Sequence, residues 1–76
     1  VLLGRVLLGQ RRWTRAAEAL RDALRYHPYD ADLNFNLAVA ERGQGNQEAV
    51  RRALERVLLV DPTDPDAWAM LQTEHP

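Results

Sequence analysis

The chain has 76 residues, 46% of them hydrophobic and 28% charged, and its ten basic side chains, all arginine, stand against eleven acids for a formal net charge of -1. One small domain is the ceiling at that length, and the composition is too apolar and too balanced for a disordered tail, with too little Gly and Pro for a low-complexity or collagen-like chain. Cysteine is absent, which removes disulfides, thiol nucleophiles and thiolate metal sites but leaves the compartment open.

The first expected helix covers about 1–8 and ends near Gly9. It is apolar, yet it carries Arg5 and is far too short to cross a bilayer, so no direct membrane insertion is expected. A second helix starts at about Thr14, repeats Ala16, Ala19, Leu20, Ala23 and Leu24 at intervals of three and four, and must stop before Pro28. Asp30 is the N-cap of a third, about 31–42. Gly43-Gln44-Gly45-Asn46 breaks the pattern and offers Asn46 as the cap of a fourth, about 47–60, with Val50, Ala53, Leu54, Val57 and Leu58 on its apolar face. After Asp61-Pro62, Asp64 caps a fifth with Pro65 at its first position. No stretch alternates like a strand, so the fold class is all-α. Connections of three or four residues make neighbouring helices antiparallel hairpins, and alanines among the leucines let their axes approach closely.

Shifting the sequence by 34 exposes an internal repeat. Leu3, Leu37 and Leu71 coincide, as do Gly9-Gln10 with Gly43-Gln44, Ala19-Leu20 with Ala53-Leu54, Leu24 with Leu58, and Pro28, Asp30 and Asp32 with Pro62, Asp64 and Asp66. Ten identities in 42 aligned pairs exceed the roughly three or four that composition supplies. Trp68-x2-Leu71, Asn34-x2-Leu37-Ala38, Leu3-Gly4, Ala16-x3-Leu20 and the closing Pro28 and Pro62 together resemble the tetratricopeptide repeat family, a 34-residue helix-turn-helix unit. Departures are Leu7 and Glu41 in place of the pattern's Tyr, Val50 in place of its second-helix Ala, and Arg11 where Gly45 marks the other turn. Glu41 implies that its turn lies against polar groups or solvent.

The resemblance implies a short right-handed solenoid of about five helices, with a truncated first repeat at 1–30, a complete one at 31–64 and the first helix of a third at 65–76. Because the chain starts on Val and stops within a unit, we expect a fragment of a larger protein, marginal by itself because solenoids bury their faces by stacking.

Chemistry-bearing constellations are sparse. His27 and His75 sit beside prolines with no partner at metal-ligand spacing, and Asp61, Asp64 and Asp66 lack the Gly turn and terminal Glu of a calcium loop, so helix capping accounts for them better. No catalytic residue, cofactor or metal site is expected, and the chain is not read as an enzyme. Arg11, Arg12 and Arg15 crowd around Trp13, a pattern that phosphate readers use. The acids spaced three and four residues from the helix arginines favour solvated ion pairs, and no nucleic-acid partner is expected. The charge is polarised along the chain: +3 over 1–30, zero over 31–60 and -4 over 61–76.

The resemblance further implies a concave groove lined by the first helix of every unit, which takes an extended or helical peptide of a protein partner. Its residues are Leu2, Arg5 and Gly9 from the first helix, Asp32, Phe35, Asn36, Val39 and Arg42 from the third, and Asp66, Ala69 and Met70 from the fifth. Members that clamp a C-terminal carboxylate use basic residues where Asp66 and Met70 stand here, which argues against that subtype. The expected role is a scaffold or adaptor module. The alternative is self-association, with open end faces or the groove pairing two copies as a homodimer.

Overall fold

A computed structural model describes residues 2–73, with side chains placed from residue 12 onward. All of its regular structure is α-helical, in four segments: α1 (Leu2–Tyr26), α2 (Ala31–Gly43), α3 (Gln47–Val60) and α4 (Pro65–Thr73). Each helix packs on the next, α1 on α2, α2 on α3 and α3 on α4.

The two helices expected before Pro28 are one. α1 runs without a break through the segment from Gly9 to Thr14. The reason is visible at the α2–α3 turn, 34 residues on. There Gly45 adopts a φ of 77°, in the left-handed region that only glycine enters without steric cost. Its N–H donates to the Arg42 carbonyl at 3.0 Å, and the Asn46 N–H reaches the Glu41 carbonyl at 2.9 Å, which closes α2. The Asn46 side chain then accepts from the Ala49 N–H and starts α3. The matching positions in α1 hold Arg11 and Arg12, which supply neither the left-handed residue nor the cap. Thr14, expected to begin a helix, instead lies inside one and accepts a hydrogen bond from Gln44 Nε2 at 2.8 Å.

The other boundaries form where expected. Asp30 caps α2, with Oδ1 accepting from the Leu33 N–H at 3.0 Å. Asp64 caps α4, its Oδ1 accepting from the Asp66 and Ala67 N–H groups at 2.9 and 3.1 Å, and Asp61 accepts from both the amide and the hydroxyl of Thr63. One bond recurs at the repeat distance. Asn34 Nδ2 donates to the Pro28 carbonyl at 3.1 Å, and Trp68 Nε1 donates to the Pro62 carbonyl at 2.7 Å. Two chemically different side chains thus tie each helix to the loop before it.

Among the described residues nine apolar side chains are buried, five of them alanine, with Leu37, Val50, Leu54 and Val57 supplying the bulk. Val50, Ala53, Leu54 and Val57 are the expected face of α3, with Leu58 partly buried beside them. On α1 the centre of contact is Ala17 rather than Ala19, which is exposed. Close approach of α1 to α2 is enforced at Gly43, where a β-carbon would collide with the Trp13 indole. The molecule is a slab of 42 × 31 × 16 Å. Its long dimension follows from α1, whose 25 residues extend about 37 Å at the helical rise.

Candidate peptide-binding surface

α2 separates two environments. Successive residues turn about 100° around a helix, so Asp32, Phe35, Asn36, Val39 and Arg42 fall on one side, while Asn34, Leu37, Ala38 and Glu41 fall on the other. The second set is buried. Of the first set Asp32, Asn36 and Arg42 are exposed, and Phe35 and Val39 are half-buried. Phe35 packs its inner side on the core. The stripe expected from the sequence is therefore an open face of α2 with polar groups flanking two partly accessible apolar ones.

On α4, Asp66 and Ala69 are exposed and Met70 is half-buried against the core. Leu2, Arg5 and Gly9 lie on the first turns of α1, and their side chains are outside the described residues.

Glu41 resolves as the polar alternative of its expected environment. It is 1% exposed, and its carboxylate is ion-paired with Arg21 of α1 and accepts from Asn46 Nδ2 at 3.2 Å. Asn46 thus supplies a polar contact to Glu41 where turns of this type commonly place an apolar one. The Trp13 ring belongs to helix packing, since it lies over Gly43. Three exposed arginines of α1 and α3 form pairs one turn apart, Arg25 with Asp22, Arg51 with Glu55 and Arg52 with Glu48. Such solvated pairs contribute about 0.3–0.5 kcal/mol each. Among the described residues no group of three or more potential ligands could hold a metal ion, and no helix is long and apolar enough to cross a membrane. His27 is exposed in the α1–α2 loop, and His75 lies outside the described residues.

A concavity of about 610 Å³ opens on the other side of α2, where α1 and α3 converge. None of the eleven residues expected at the groove lines it; Arg21, Arg52, Arg56 and Glu41 do. Its signal in the sequence was Glu41, an acid at a packing position that demands a cation from a neighbouring helix.

These features define a class, successive packed helices joined by short loops over a 34-residue sequence period, with a buried side and an open side on α2. A tetratricopeptide repeat family profile matches residues 7–74, and the chain belongs to that family. Repeats of this family generally mediate protein–protein interaction. No curated protein and no solved structure matches the chain significantly.

Proposed function

We propose that the chain is a scaffold or adaptor module that takes an extended or helical peptide of a protein partner along the open side of α2, continued by α4. The start of α1, expected to join it, runs past the end of α2 because α1 is unbroken. The supporting observation is the α2 stripe itself. Phe35 and Val39 supply accessible apolar contact, the Asn36 amide is free to bond a peptide backbone, and Arg42 carries a guanidinium suited to a carboxylate. In this reading the repeats divide at 1–30, 31–64 and 65–76, and α2 and α4 are the first helices of successive units.

Peptides selected from a random displayed library against the immobilised chain test it. Phe35→Ala and Asn36→Ala should each weaken the selected peptides about tenfold, in line with losing a central apolar anchor or a buried hydrogen bond. Thermal unfolding should change little for Asn36→Ala and only modestly for Phe35→Ala, which loses its contact with the core. If both substitutions instead cost about 2 kcal/mol or more of stability, the residues are core and the groove assignment fails.

Self-association rests on a different observation. Leu59, Val60 and Trp68 are 73%, 48% and 50% exposed around the α3–α4 connection. A second copy that covered them would make a homodimer. Light scattering across a concentration series separates the readings, because peptide capture leaves the mass monomeric.

A further inference from the structure

We propose that the concavity between α1, α2 and α3 is a second binding site, on the side of α2 opposite the open stripe, and that it takes the carboxylate side chains of an acidic peptide segment in a partner protein. Three helices and two loops build it. Arg21 comes from α1, Arg52 and Arg56 from one stripe of α3, Glu41 from α2, and Tyr29 and Asn46 from the connections.

The charge balance selects an anion. Three guanidiniums line the cavity; Arg21 is paired with Glu41, which Asn46 also satisfies, Arg52 is paired with Glu48 at the edge, and Arg56 leaves one positive charge in excess. Arg21 has donors left over, because a guanidinium carries five N–H groups. Arg52 is held only by Glu48 at 3.1 Å, with both side chains 65% exposed, so a ligand can replace that pair at little cost. Arg56, one turn further along α3, makes no hydrogen bond or ion pair among the described residues. Two guanidinium forks are therefore available on one wall, and planar forks match a carboxylate with two parallel bonds.

The rest of the lining favours a side chain over a free ion. Leu24, Leu37 and Ala49 add apolar surface between the charged groups, and the Tyr29 ring is 68% exposed at the rim. These contacts suit the methylenes of Asp or Glu and an apolar neighbour in the same segment. Inorganic phosphate meets the same guanidiniums but brings no apolar surface to set against Leu24, Leu37 and Ala49.

Amide chemical shifts of the full chain report the site. The probe is an N-acetylated, C-amidated peptide Gly-Leu-Asp-Glu-Leu-Asp-Gly, with its Asn/Gln counterpart and inorganic phosphate as separate arms at low ionic strength. The acidic peptide should shift Tyr29, Asn46, Ala49 and Arg56 in a saturable way, while the amide peptide leaves them unmoved. Arg52→Gln together with Arg56→Gln should raise the dissociation constant about tenfold or more, as expected for lost charge-assisted bonds. Helicity should be retained because both side chains are exposed. Shifts centred on Phe35, Asn36 and Val39, equal affinity for the amide peptide, an unchanged constant in the double variant, or tighter binding of phosphate at the same amides would each overturn the proposal.

Discussion

Glu41 shows how one substitution of residue type reorganises its surroundings. At this position the repeat pattern has an aromatic residue, and a carboxylate with 1% exposure is tenable only because Arg21 and Asn46 converge on it. The ion pair is asymmetric, since the Arg21 side chain is 52% exposed and the Glu41 side chain is not. Removing the cation should therefore hurt more than removing the anion. We expect Arg21→Ala to cost about 2–3 kcal/mol, below the full penalty for an orphaned buried charge because solvent reaches one partner. In a Glu41→Leu background the same substitution should cost under about 0.5 kcal/mol, as nothing buried is left unpaired. Urea unfolding of the four proteins in that cycle gives the coupling directly, and purely additive costs would show that Glu41 is satisfied without Arg21.

Helix boundaries were legible where a short polar side chain or a glycine acts locally. Asp30, Asn46 and Asp64 cap α2, α3 and α4, and Gly45 closes α2, because each completes hydrogen bonds within a few residues of itself. The start of the chain misled for the same physical reason. Gly9-Gln10 repeats Gly43-Gln44, but the decisive positions are the next two, where Arg11 and Arg12 replace Gly45 and Asn46. A glycine alone costs a helix only about 1 kcal/mol and does not end it. The prediction is that Arg11→Gly with Arg12→Asn supplies both missing elements and splits α1 into a hairpin. Backbone carbon shifts should then lose their helical sign at residues 10–12 while the stretch after Thr14 stays helical. Uninterrupted helical shifts in the double variant would mean that packing of α1 on α2, and not the turn residues, holds it continuous. The α2 stripe came from the family resemblance, with which its spacing of three and four is consistent, whereas the cavity opposite was not legible, because it needs Arg21 and Arg56 from two other helices to meet around Glu41.

The slab is only 16 Å deep, so each helix has a neighbour on few sides and much of its surface stays in water. Five of the nine buried apolar residues are alanine, which brings helices close but removes little area from solvent. Stability then rests on a few large side chains, chiefly Leu54, which is fully buried on α3. A chain of this size rarely retains more than about 3–5 kcal/mol of net stability, and replacing a buried leucine by alanine costs about 2–5 kcal/mol. Leu54→Ala should consequently abolish most of the far-ultraviolet helical signal at 25 °C rather than merely lower the melting temperature. The exposed Leu59 on the same helix, 73% accessible, is the matched control, and Leu59→Ala should leave the melting curve nearly unchanged. A fully helical Leu54→Ala protein at dilute concentration would show that the stack has more reserve than its alanine-rich core provides. A melting temperature that rises with protein concentration would instead place that reserve in contacts between copies, since mass action stabilises only what associates.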